Sequence, residues 1–126
     1  MSLRTPLARV RGLGSAKEGV AHWWAQRVTA VALVPLTLWF VISLLFMTHA
    51  DHATLQAWIA QPSVTVLLVA FLFSLFYHAI LGMQVVIEDY VHQEGTKFVS
   101  LLVMKFLLIL LGGSAIIAVL RIAFGG

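Results

Sequence analysis

The sequence predicts an all-α membrane protein, a single domain (residues 1–126) that crosses the bilayer three times. Three apolar runs carry that prediction, at about residues 28–47, 63–87 and 98–124. As helices rising about 1.5 Å per residue, each is long enough for a hydrocarbon core of about 30 Å. The composition agrees: 61% of residues are hydrophobic, only 10% are charged, and the mean hydropathy is +1.00. A soluble domain carries about a quarter charged residues. The chain has no cysteine, which excludes disulfides, thiolate metal sites and iron–sulfur ligation by its own side chains.

Residues 1–26 read as a polar, basic cytoplasmic tail with Gly12, Gly14 and Gly19 as breakers. They hold no apolar segment of the kind a secretory signal needs. Arg4, Arg9 and Arg11, with no acid before Glu18, have some of the make-up of a mitochondrial transit peptide. A bacterial inner-membrane protein is the simpler expectation, with the mitochondrial inner membrane as the alternative. Trp23, Trp24 and Arg27 suit the place where a chain meets the headgroups.

The first span contains Pro35, where a kink is expected. The loop from Thr48 to Pro62 has no Lys or Arg, and its centre, Leu55 to Ile59 with Trp58, suits a segment lying along the interface. The second span ends at about Ile87, and a polar turn from Glu88 to Lys97 follows, with Gly95 as its breaker. The third span carries Lys105 near its start, within snorkelling reach of the interface, and Gly112-Gly113-Ser114 near its centre. Small residues there let another helix approach closely. Five cations (Arg4, Arg9, Arg11, Lys17 and Arg27) precede the first span and none lies in the first loop. The positive-inside rule then places the N-terminus in the cytoplasm and the C-terminus in the periplasm. The net charge of +3 speaks to this topology, and no nucleic-acid partner is expected.

The second span holds the chemistry. His78 is its one imidazole, about twelve positions and so roughly 18 Å above Tyr90. A histidine at that depth is costly, which makes it a functional-site candidate. It could be bonded to a neighbouring helix, or it could ligate iron. Haem is the fitting guest, because imidazole is its common axial ligand and no thiolate competes. If the iron is six-coordinate, its second ligand comes from another chain.

Ser74 and Gly82, one turn to either side of His78, could pack helices, line a cofactor pocket, or both. Asp89 follows His78 by eleven positions, about 20° away on the same face. Asp89 and Tyr90 could be a solvated helix end and an aromatic anchor. Alternatively, the phenol could donate to a carbonyl of a lipid-soluble quinone while the carboxylate orients it or manages protons. Arg27 could be a topological anchor or a partner of haem propionates. His92, fourteen residues beyond His78, reads as a surface histidine.

The run from His78 to His92 (HAILGMQVVIEDYVH) resembles the small hydrophobic membrane-anchor subunits of succinate dehydrogenase, respiratory complex II. The likeness lies in the His, the Gly four later and the Asp-Tyr eleven and twelve later. Gly19 to Leu33, with Arg27-Val28-Thr29-Ala30 opening the first span, is similar to the same family, as are the length and the three-span layout. The Val-Ile-Glu-Asp-Tyr-Val-His form looks like the alphaproteobacterial and mitochondrial branch.

The resemblance implies a flavoprotein that oxidises succinate, an iron–sulfur subunit, and a second three-helix cytochrome b anchor packed against this one. It implies His78 as an axial ligand of a shared haem b, Tyr90 as a hydrogen-bond donor to ubiquinone with Asp89 beside it, and Arg27 near the propionates. No succinate-oxidising site is expected in this chain. The rivals are the anchor of a quinol:fumarate reductase and a non-redox small membrane protein. A transporter of this size tends to carry an acid within a span, and none occurs in these three.

Overall fold

The computed structural model describes residues 15–125, with side chains from Gly19 onward. Four helices follow in order: α1 (Ser15–Phe46), α2 (His52–Ala60), α3 (Pro62–Tyr90) and α4 (Glu94–Ala123). Three of them, α1, α3 and α4, are long and apolar enough to span a membrane. The described residues contain no strand.

The first helix starts well before the expected span. Ser15 to Gln26, read as part of a tail, is helical and continuous with the apolar segment. Gly19 is the one residue in that stretch with a strong bias against helix, and a single glycine costs only about 1 kcal/mol. His22, Trp23, Trp24 and Arg27 therefore have fixed faces on a helix. Arg4, Arg9 and Arg11, and the side chain of Lys17, lie outside the described residues. Pro35 sits inside α1 without ending it.

A short helix, α2, fills the first loop. Asp51 caps it by accepting from the Thr54 backbone N–H at 2.8 Å. Hydrogen bonds from the Thr54 side chain and backbone hold the Asp51 carboxyl below the usual carboxylate range. Trp58 of α2 stacks on Trp39 of α1, with centroids 6.0 Å apart. Gln61 then serves two helices in an extended conformation, ending α2 and preceding Pro62 at the start of α3. Proline suits that place because the first N–H of a helix has no internal partner. Buried Thr65 fastens the corner, its hydroxyl lying 2.7 Å from the Ile59 carbonyl and 3.0 Å from that of Gln61.

At the other end, α3 runs through Glu88, Asp89 and Tyr90, three residues past the expected boundary. Val91 and Gln93 are extended and make the break. Gly95, expected to be the breaker, lies inside the first turn of α4. Nothing in that turn needs glycine's conformational range, since Gly95 has no positive φ.

The central helix is α3. It packs on α1 along one side and α4 along another, and among the described residues the Cα atoms of α1 and α4 stay more than 8 Å apart. Most of the buried apolar side chains belong to it: Val64, Leu68, Phe71 and Leu81. Phe71 stacks on Phe40 of α1 at 4.7 Å. Along its other side, Gly112 of α4 lies so close to Phe76 that an added Cβ would come within 2.8 Å of the ring. Gly113 has nothing comparable near it. Of the two glycines, only Gly112 is pressed against a neighbour among the described residues.

Candidate functional site

His78 sits sixteen residues after Pro62 and twelve before Tyr90, so it lies near the middle of a helix about 43 Å long. It is half-buried, and its Nδ1 lies 3.0 Å from the Oγ1 of Thr29 on α1. Thr29 is one of only two buried polar side chains among the described residues, with 8% of its surface exposed. Its hydroxyl also lies 2.8 Å from the Ala25 carbonyl and 3.0 Å from that of Gln26. The bond to a neighbouring helix, foreseen as the alternative to ligation, is therefore present, but it uses one ring nitrogen. Among the described residues, Nε2 has no hydrogen-bond partner.

Below this contact the polar side of α1 continues. Gln26 lies one turn toward the N-terminus, and its Nε2 is 3.8 Å from where a Gly82 Cβ would be. His22 follows one turn further, and its Nε2 is buried with no partner among the described residues. Residues 22, 26 and 29 share one stripe of α1 by helical spacing. Gly82 is half-exposed, and beyond Gln26 nothing stands within 4 Å of its missing Cβ. Ser74, one turn above His78, is half-buried. A flat group beside His78 would meet small side chains above and below.

Arg27 is not brought to this site by the chain itself. Two positions before Thr29, it projects about 160° away from it around α1. There the guanidinium lies 5.5 Å from the centroid of the Trp23 ring, whose face it covers. Trp23 in turn meets Trp24 edge to face at 5.2 Å. Asp89 and Tyr90 are exposed in the last turn of α3, with Tyr90 76% exposed. Neighbouring Glu88 accepts a hydrogen bond from Gln84 at 3.1 Å. A carboxylate is mildly disfavoured at a helix C-terminus, so Asp89 draws no stability from its own helix.

Among the described residues no three metal-ligating side chains converge. Of the histidines at 22, 49, 52, 78 and 92, only His78 lies near the middle of a spanning helix, so a metal-bound group held there would take one imidazole from this chain. An imidazole anchored through Nδ1 with a bare Nε2 fits that requirement, because ligating histidines regularly hold their second nitrogen in a hydrogen bond. The sequence reading singled out His78, Ser74 and Gly82 on α3 but missed Thr29, Gln26 and the fixed face of His22. Their signal was the spacing of three polar residues at i, i+4 and i+7.

Comparison with known proteins adds an independent line. The model of the succinate dehydrogenase/fumarate reductase transmembrane subunit family matches residues 1–112. The chain belongs to this family. The succinate dehydrogenase hydrophobic membrane anchor subunit of Rickettsia bellii is 37% identical over 117 residues, 92% of this chain and 93% of its own. That of Rickettsia conorii is 38% identical over 90 residues, 70% and 71% of the two chains. The anchor subunit of Paracoccus denitrificans is 37% identical over 93 residues, 74% and 71%. The stretch matched by the transmembrane-subunit family takes in Thr29, His78, Gly82, Asp89 and Tyr90, and with its three spanning helices the chain is a multi-pass membrane protein.

Proposed function

We propose that this chain is the membrane anchor of a succinate:ubiquinone oxidoreductase in a bacterial inner membrane. It would tether a flavoprotein and an iron–sulfur subunit to the cytoplasmic face, beside a second cytochrome b anchor. The family match over residues 1–112 carries this reading. That description covers both reaction directions, and the relatives named above are succinate dehydrogenase subunits. The chain's part in the enzyme is to hold and to position, with succinate oxidised elsewhere.

His78 Nε2 would ligate the iron of a haem b shared with the partner anchor, with the small residues Ser74 and Gly82 one turn to either side of it along α3. When bound, haem supplies a one-electron carrier within the membrane. Arg27, on the far side of α1 from Thr29, would have to leave the Trp23 ring to meet a propionate. The Tyr90 hydroxyl would donate to a ubiquinone carbonyl, and Asp89, exposed beside it, would orient that contact or pass protons to it.

A reduced-minus-oxidised spectrum of the purified complex tests the cofactor. In the His78→Leu variant the haem bands should be lost while the subunits still co-purify; an unchanged spectrum would refute the ligand assignment. For Tyr90→Phe, quinone reduction should fall about 100-fold or more, since a positioned proton donor contributes about 10²–10⁴-fold. Succinate oxidation by artificial acceptors should persist. Equal loss of both activities would point to failed assembly.

A further inference from the structure

The hydroxyl of Thr29 has one proton and three neighbours: the Ala25 carbonyl at 2.8 Å, the Gln26 carbonyl at 3.0 Å and His78 Nδ1 at 3.0 Å. Both carbonyl oxygens can only accept, so either of them requires the hydroxyl proton. Helical threonines commonly give that proton to the carbonyl four residues back, and the Ala25 contact is the shortest of the three. The hydroxyl oxygen then has lone pairs left for the imidazole, and Nδ1 must supply the hydrogen. In the opposite arrangement Thr29 would donate to Nδ1. Nε2 would then carry an N–H with no acceptor among the described residues, at mid-membrane, where an unsatisfied donor is costly.

We infer that Thr29 is the positioning residue for the haem ligand: it accepts Nδ1–H of His78, fixes the ring's tautomer and orientation, and so presents a bare Nε2 to iron. This inference rests on the haem reading above. It goes beyond that reading by assigning the ligand's orientation and basicity to a buried threonine on another helix. A hydrogen bond from Nδ1–H raises the electron-donating strength of the ring. It therefore favours the ferric state and lowers the reduction potential of the bound haem. The burial of Thr29, at 8% exposure, shields the bond from competing water.

The test uses the whole complex with Thr29→Val and Thr29→Ser, and His78→Leu as a control. Valine keeps the shape of threonine and removes the acceptor, so the helices stay packed. Thr29→Val should bind haem about 10- to 100-fold less tightly, the usual cost of removing such a partner. The haem it retains should show an upward shift in midpoint potential and altered low-spin electron paramagnetic resonance g-values. Thr29→Ser, which keeps the hydroxyl, should restore the parent values. Unchanged haem affinity, potential and g-values in Thr29→Val would overturn the inference while leaving the haem reading intact. A defect equal in both Thr29 variants would also overturn it. Haem retained by His78→Leu would instead sink the reading on which it rests.

Discussion

The two seams along α3 are built differently. Toward α1 the contact combines stacked rings (Phe40 on Phe71) with a hydroxyl–imidazole bond at 3.0 Å and a glutamine amide facing a glycine. Toward α4 it is apolar, with the backbone of Gly112 against the ring of Phe76. In hydrocarbon, helix association draws on close packing and on polar bonds between helices, because burial away from water no longer drives it. The α4 seam uses the first and the α1 seam uses both. A polar group in lipid surroundings costs more than a small residue does, so its presence at one seam supports the proposal that the chain does something there besides hold together. On the proposed haem reading the α1 seam both packs and holds the cofactor ligand, while the α4 seam only packs.

That division can be broken by experiment. The largest effect belongs to the polar seam, where His78→Leu should abolish the haem bands and leave the co-purified assembly near its parent melting temperature. If the complex instead fell apart, the α1 seam would be structural first and the contrast would fail. Next in size comes Gly112→Ala. The new Cβ would lie 2.8 Å from Phe76 Cγ and 3.0 Å from its Cβ, atoms close to the backbone that cannot swing aside cheaply. Overpacking of this kind costs about 1–3 kcal/mol. Thermal unfolding of the complex should shift down accordingly, with the haem spectrum and potential unmoved.

Much of this arrangement could be read from residues alone, for reasons that also explain the gaps. Long apolar runs announce spans because charge is excluded from hydrocarbon, and His78 stood out for the same reason. Helix ends were less legible. Ser15 to Gln26 and Glu88 to Tyr90 are polar, and polarity reads as loop, yet a helix leaving the bilayer can keep its own hydrogen bonds into the headgroup region. Gly95 misled because a glycine after a polar cluster usually signals a stop, while the break was made by the extended Val91 and Gln93. Thr29 shows in the sequence only through its spacing with His22 and Gln26. A threonine in an apolar helix is ordinary, and its meaning depends on which face of α1 meets α3. Only tertiary placement supplies that.

The smallest effect belongs to Gly113. Gly112 and Gly113 are adjacent and chemically identical, and a rotation of about 100° separates their faces. Within the described chain only Gly112 is pressed against a neighbour; a Cβ on Gly113 would meet nothing within 4 Å. Gly113→Ala should therefore leave the melting temperature unchanged or raise it slightly, since alanine is favoured over glycine in a helix by up to about 1 kcal/mol. The measurement is the same thermal unfolding of the assembled complex used for Gly112→Ala, with the two variants side by side. A fall as large as that of Gly112→Ala would mean that a helix from another subunit packs against α4 at Gly113. The apolar side of the molecule would then be an interface between chains as well as the seam that holds α3 to α4.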